Sequence, residues 1–546
     1  MSFLNRRRFL AAAGTATAAA GVLATRTAAG APAPGSPFRH GVASGDPLPD
    51  AVVLWTRLTP TADALPGSGT GPTVRLEWEI ASDPAFRNVA RSGKATATPD
   101  ADHTVKVDAT GLTAGTTYWY RFRYQGTVSP VGRTRTAPAT GEAVGVLRFG
   151  VVSCANYMAG HFSAYRHLAA RSDLDAVIHL GDYLYEYGNG EYGPGPAIGR
   201  GHEPAHEMVS LADYRRRHAQ YKTDPDLRTL HAAAPFIVTW DDHESANDAY
   251  DQGAENHTEG AEGSWTTRYA HARRAWGEWM PVREPDPRRV HRRLVFGGLA
   301  DLSMLDLRSY RSRQVEQDRL GDVGDPDRTI TGDAQMEWLK EGLATSRARW
   351  KLIGNPLMIS PVLFPPLPQD IARPLADTTG LLPPEGVPYN VDQWDGYTAD
   401  RRELLGHLRD RGIDDTVFLT GDIHSSWACD LPLDPGTYPA GSPSVATELV
   451  GTSVTSDNLD DITRSQPRTS SLAVETAIRG ANRHVKYLEF DSHGYSLLEV
   501  TPQRVQMDWV YISDRTDPRA TARRAAGYQV LAGSNRVSPA AAPLAD

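Results

Sequence analysis

Two cysteines, Cys154 and Cys429, are all that 546 residues hold, so at most one intramolecular disulfide can form. Basic residues are in the minority: 57 Lys and Arg stand against 66 Asp and Glu, a formal net charge of −9. Without a long basic run the chain lacks the clustered cations that phosphate-backbone contacts need, which argues against a nucleic-acid binder. Long apolar runs are missing too. The stretch from Phe9 to Ala24 is rich in Ala and Gly and falls short of the ~20 apolar residues of a membrane span. Gly (49) and Pro (39) are too few for a collagen-like or largely disordered chain. What remains is ordinary globular composition, 40% apolar and 23% charged. At roughly 150 residues per domain the length allows two to four domains.

The first residues carry an address. Arg6, Arg7 and Arg8 precede a mildly apolar stretch, and small residues around Ala29-Gly30-Ala31 offer a cleavage site. Asn5 to Leu10 resembles a twin-arginine signal, so residues 1–31 are expected to engage that export machinery and the protein to be secreted. That route carries proteins already folded, often with a metal loaded in the cytoplasm.

Between residues 38 and 138 the pattern has period two. Val74, Leu76, Trp78 and Ile80 alternate with Arg75, Glu77 and Glu79, as do Tyr118, Tyr120, Phe122 and Tyr124 with their neighbours. Leu112 to Tyr118 looks like the tyrosine corner of a fibronectin- or immunoglobulin-like sandwich. A small all-β sandwich is expected there, followed by a linker at Thr136–Ala143. From 144 to 515 buried strands alternate with helical spacing at Leu211–Tyr221, Trp265–Met280, Ala334–Ser346 and Asp400–Arg411, which predicts an α/β domain. Pro361 to Pro388 reads as an active-site loop. The tail, 516–546, is expected to be helical over Asp517–Val537.

Polar residues gather where the apolar strands of this domain stop. Val146–Val152 runs into Cys154, Ala176–Leu180 into Gly181-Asp182-Tyr183-Leu184-Tyr185, and Phe236–Trp240 into Asp241-Asp242-His243-Glu244. Leu352–Gly354 runs into Asn355, and Val417–Thr420 into Gly421-Asp422-Ile423-His424. The carboxyl ends of strands form the site-bearing crevice of α/β sheets. Adjacent carboxyls at Asp241 and Asp242 repel unless a cation lies between them. Each residue alone has a plainer reading: a turn for Asp182 and Asn355, packing for Tyr185, a disulfide for Cys154.

As a set, these segments resemble the binuclear metallophosphatases, and within them the alkaline phosphatase D (PhoD-type) family. Cys154 stands where the superfamily has D-x-H, Trp240-Asp-Asp-His-Glu244 where it has G-N-H-E, and Gly421-Asp-Ile-His424 where it has G-H-x-H. Leu305-Asp-Leu-Arg308-Ser-Tyr-Arg311 and Asp392-Gln-Trp-Asp-Gly-Tyr397 match as well. The resemblance implies an αββα metallophosphatase-type fold and a phosphoesterase acting through metal-activated water. Thiolate, phenolate, Asp182 and His424 suit a trivalent ion, and Fe(III) is implied at Cys154, Asp182, Tyr185 and His424. Asp242, Asn355, Asp422 and a bridging Asp182 are all oxygen donors, which favours Ca(II), one to three ions. His243 stands where superfamily members carry a histidine that assists the leaving group. Arg308 is either a phosphate clamp or a salt-bridged scaffold residue.

The expected substrate is a phosphate ester, with teichoic acid, nucleotides and phospholipids all open. Phospholipase D activity is the first alternative. A different metal pair and a calcium-dependent, non-enzymatic surface-binding module are the others.

Overall fold

The segment Ala176–Leu180 is buried at every position, as a strand covered on both faces must be. It pairs in parallel with Leu147–Val152 on one side and Phe236–Thr239 on the other. In the computed structural model, which describes residues 35–283, 289–379 and 386–545, these strands lie inside a ten-stranded mixed sheet. The export signal expected at 1–31 lies outside the described residues. A seven-stranded sheet faces the first, with Ala300–Met304, Trp350–Asn355, Thr416–Thr420 and Ser444–Val450 paired in parallel. Phe149, Ile178, Leu180 and Ile237 of one sheet share a core with Leu302, Leu352, Val417 and Leu449 of the other.

Helices cover the outer faces. Ser163–Ala169, Leu211–Tyr221, Pro225–Ala233 and Trp265–Trp279 pack on the larger sheet through residues such as Leu168, Tyr214, Leu230 and Trp276. Asp333–Thr345 and Thr398–Arg411 cover the smaller one through Leu339 and Leu404. Helix Leu211–Tyr221 starts where expected because Ser210 and Asp213 form a capping box. The chain is thus layered helix, sheet, sheet, helix. Among the described residues, no helix is long and apolar enough to cross a membrane.

Residues 38–138 do form two β layers, and the Tyr118 hydroxyl accepts from the Thr113 amide at 2.9 Å, as a tyrosine corner does. One layer is a separate five-stranded sheet that includes Val74–Ala81 and Thr117–Tyr124. The other, made of Val42–Gly45, Ala51–Arg57 and Thr104–Thr110, continues the ten-stranded sheet. Its link is the parallel pairing of Gly45 with Phe236. The boundary near 138 therefore separates two cores, since Val52, Leu76, Tyr120 and Phe122 belong to a cluster of their own, but one sheet runs through both portions.

Two expectations need correction. The tail is not a helix: Ala522–Leu531 pairs antiparallel with Arg504–Ile512, and Val537–Pro539 adds an edge strand. Ala and Arg favour a helix locally, but the open edge of Arg504–Ile512 offers a full ladder, and Tyr528 packs on Trp509 and Tyr487. Nor is Pro361–Pro388 a plain loop over the site. It holds the short strands Leu363–Phe364 and Val387–Pro388 and the helix Gln369–Thr379.

One buried cation marks the seam between the N-terminal strands and the helices. Lys222, 1% exposed, donates to the Tyr183 hydroxyl at 3.1 Å, lies 3.2 Å from His231 Nε2 and sits over the Trp55 ring. Burial pulls its ammonium from 10.5 down to about 7. Between those values the unfolded chain holds a proton that the folded chain has released, so this group makes stability rise with pH there. Lys222→Met is expected to remove that slope. In urea titrations from pH 7 to 10, the stability of the variant relative to wild type should fall steadily; a constant difference would mean Lys222 does not titrate in this window.

Candidate metal centre

The parallel strands of both sheets deliver their carboxyl ends to one place. Cys154, Asp182, Asp422 and His424, each just past a strand, all take the left-handed backbone conformation, with φ of 57°, 52°, 56° and 53°. Non-glycine residues rarely adopt it, and their concentration here marks a backbone held by its surroundings. Gly181 (φ 103°) enables the turn before Asp182: a Cβ there would lie 2.5 Å from that of Asp241. Glu244 ties the loops together, its carboxylate accepting from the amides of Asp182 (3.0 Å), Asp241 (2.9 Å) and Tyr183 (2.8 Å). Burial pushes Glu244 up to about 8 even against those amides.

Among the described residues three donor groups result, buried except for the half-buried Asp422, in each of which the ligating atoms lie within 4.8 Å of one another: Cys154 with Asp182 and His424; Asp182 with Asp242 and His243; and Asp182 with Asp241, Asp242 and Asp422. Asp182 belongs to all three. Tyr185 joins the first group, its hydroxyl donating to Asp182 Oδ2 at 2.9 Å and lying 3.4 Å from His424 Nε2. His424 Nδ1 donates to the Asp457 carbonyl at 2.9 Å, which leaves Nε2 for the cluster. His243 Nδ1 bonds Glu186 at 2.8 Å, and its ring stacks on Tyr185 with centroids 4.0 Å apart.

The electrostatics show what the cluster lacks. Burial, reinforced by Asp182 and Asp422, pushes the Cys154 thiol well up; burial and Asp182 do the same to the Tyr185 phenol. Asp182 is driven up by burial, with His243 pulling the other way. Its Oδ1 is buried with no hydrogen-bond partner. Thiolate, phenolate and carboxylate can coexist here as anions only beside a strongly charged cation. The residues therefore fit a metal ion.

Two predicted residues are engaged by the surrounding scaffold. Arg308 is not free to clamp phosphate: it is buried, and its guanidinium contacts Asp241 (2.5 Å), Asp392 (3.0 Å), Asp422 (3.5 Å) and Asp242 (3.6 Å). The scaffold reading is the one realised. Asn355 has both ends of its carboxamide engaged by the scaffold, Nδ2 donating to the Leu357 carbonyl (2.5 Å) and Thr420 (3.1 Å), and Oδ1 accepting from the Trp394 indole (3.1 Å). An amide oxygen accepts twice, so Oδ1 keeps a lone pair that a metal ion could take. Three functional carboxylates went unassigned in sequence. Asp241 joins a donor group, and its signal was the Asp-Asp pair. Asp392 meets Arg308 and Arg311, and its signal was the Asp392–Tyr397 match. Glu186 directly follows Tyr185 and carried no signal of its own.

A cavity of about 820 Å³ opens beside the centre, lined by Asp242, His243, Asp422 and His424 and, farther out, Tyr250, Arg313 and Tyr389. The two thiols stand apart. Cys154 is in the cluster, whereas Cys429 packs among Met358, Trp427 and Val450, and both are free.

This layered α/β fold, with thiol, phenol, imidazole and carboxyl groups converging at strand ends beside a polar cavity, defines a metal-binding hydrolase. Sequence comparison narrows the class. Residues 149–509 match the PhoD-like phosphatase family and residues 21–138 its N-terminal domain. The chain is 37% identical over 503 residues to alkaline phosphatase D of Bacillus subtilis (strain 168), covering 90% of this chain and 80% of that one. A solved structure described as that of PhoD superposes with a TM-score of 0.79 at 33% identity, covering 95% of this chain and 94% of that one. The chain belongs to the PhoD-like phosphatase family and is a phosphoric ester hydrolase, which removes the non-enzymatic binding module from consideration.

The separation of the two cysteines is directly testable. Cys154→Ser should lose bound metal and cut activity by more than the ~10–100-fold typical of changes outside the ligand set. Cys429→Ser should leave both nearly unchanged. Elemental analysis and a phosphatase assay check this, and equal damage from both would favour a disulfide.

Proposed function

We propose that this protein is an exported phosphoesterase whose centre takes Fe(III) at Cys154, Asp182, Tyr185 and His424. In this reading Asp182, Asp242 and Asp422, with the carboxamide oxygen of Asn355, hold one to three Ca(II), and Asp241 stands beside them on Arg308. The observation that carries it is the sharing of Asp182 among all the donor groups, as a bridge between ions requires. A thiolate and a phenolate together favour a trivalent ion, and an oxygen-only carboxylate set favours calcium over zinc. The motif around Arg6 and Arg7 supports export of the folded, metal-loaded chain through the twin-arginine route.

When bound, the cations supply Lewis-acid chemistry, screening the ester and activating water. The chain's own residues do the rest. Glu186 fixes His243 through Nδ1, so Nε2 is the nitrogen left to pass a proton to the departing alcohol oxygen. Stacking on Tyr185 sets the plane of that imidazole. Arg308 holds Asp241 and Asp392 in place and keeps like charges from driving the loops apart. The cavity volume lies within the range of organic-ligand pockets, which supports a substrate with a sizeable group beyond its phosphate, such as a phosphodiester.

Elemental analysis of protein purified without chelators should find about one iron and one to three calcium ions per chain. Zinc or manganese pairs without iron would overturn the assignment to Cys154 and Tyr185. His243→Ala should retain those metals while lowering kcat by about 10²–10⁴-fold; metal loss in this variant would instead make His243 a ligand.

A further inference from the structure

One short segment, Ser453–Asn458, touches three of the four residues assigned to iron, although no motif in the sequence singled it out. The amides of Thr455 and Ser456 donate to the Cys154 carbonyl at 3.3 and 3.2 Å. The Asp457 carbonyl receives His424 Nδ1. The Ser456 hydroxyl lies 2.6 Å from the Tyr185 phenol oxygen and 2.9 Å from the Cys154 carbonyl oxygen. The segment is itself braced. Arg515 donates to the Thr455 carbonyl at 2.5 Å and to Asp457 at 2.7 Å. Ser453 Oγ meets the Ser456 carbonyl at 2.7 Å and His493 Nδ1 at 2.9 Å. Residues 452–456 are buried throughout, with Ser456 0% exposed.

A serine hydroxyl has one proton to give. The Cys154 carbonyl oxygen can only accept, and so can the Tyr185 oxygen once it is a phenolate, so the two compete for that proton. An O–H donated to an anion is stronger and shorter, about 2.5–2.7 Å, than one donated to a neutral carbonyl. The hydroxyl already lies closer to the phenol oxygen, at 2.6 Å, than to the carbonyl oxygen, at 2.9 Å. We propose that Ser456 is a positioning residue of the metal centre: its hydroxyl donates to the Tyr185 phenolate oxygen, fixing that ligand and moderating its electron donation to the metal. This rests on the Fe(III) assignment above. Asp182, which accepts from Tyr185 in the protonated arrangement, then has its carboxylate free for the ions it bridges. The Cys154 carbonyl keeps the Thr455 and Ser456 amides, so its loop stays tethered without the hydroxyl.

The test is the phenolate-to-iron absorption band of the full-length protein, with metal content measured on the same samples. Ser456→Ala should keep its iron and move the band to longer wavelength, because an undamped phenolate gives up its electron density more readily. Activity should fall about 10-fold or more, as for other changes just outside a ligand set. Ser456→Thr, which keeps the hydroxyl, should restore the wild-type band. Thr452→Ala serves as the control, since it removes a buried hydroxyl from the same stretch that bonds only the Ser492 carbonyl; its band should not move. Should Ser456→Ala fail to fold, Ser456→Cys, a weaker donor, should show a smaller shift in the same direction. An unmoved band in Ser456→Ala or Ser456→Cys, or an equal shift in Thr452→Ala, would overturn the proposal. Wild-type protein without iron would overturn the iron assignment instead. The readout would then be affinity for the metal found, with Ser456→Ala expected to weaken it 10–100-fold and Thr452→Ala not at all; equal affinities would again overturn the role of Ser456.

Discussion

Crowding of buried negative charge governs this molecule. Asp182, Asp241, Asp242 and Asp422 bring ligating oxygens within 4.8 Å of one another where water is largely excluded. At such separations repulsion is large unless opposite charge intervenes. The protein supplies part of it through Arg308, whose single guanidinium faces Asp241, Asp242, Asp392 and Asp422. That arginine cannot balance the thiol and phenol beside Asp182, which burial keeps protonated. The site is built for more positive charge than its side chains carry, and a metal site follows from that deficit.

Much of the surrounding structure keeps these groups together against their repulsion. Two facing sheets point their strand ends at the same volume, so the donors are fixed by ladders that cannot shift independently. Left-handed backbone at Cys154, Asp182 and Asp422 turns each side chain inward two residues past its strand, and at His424 does so four residues past Thr420. Glu244 joins the Asp182 and Asp241 loops through backbone amides, and the segment Ser453–Asn458 does the same for Cys154, Tyr185 and His424. The N-terminal strands take part as well. Because Gly45 pairs with Phe236, the β layer at residues 42–57 extends the sheet that ends at Asp241, and the two portions of chain share one framework.

The period-two and helical patterns were legible along the chain, and so were the strand ends. Leu211–Tyr221 and Thr416–Thr420 begin and end where the apolar spacing and the flanking residues say they should. The cluster of Cys154, Asp182, Tyr185, Asp242, Asp422 and His424 was visible because each member follows an apolar strand, a purely local sign. The tail misled for the opposite reason. Ala522–Leu531 has helix-forming composition, and its strand exists only because Arg504–Ile512 leaves an edge to pair with.

The same distinction applies to the site residues. A residue's type and its place after a strand say which donors are present, and the motifs they form sufficed for the family. They do not say where a side chain is already committed. Arg308 looked as suitable for a phosphate as for a carboxylate until four aspartates were found around it. Glu186 and Ser456 act through His243 and Tyr185, partners 57 and 271 residues away. Local pattern encodes what a strand or helix must bury. Which polar groups meet at the end of those strands depends on contacts between distant parts of the chain, and only the packed fold brings them together.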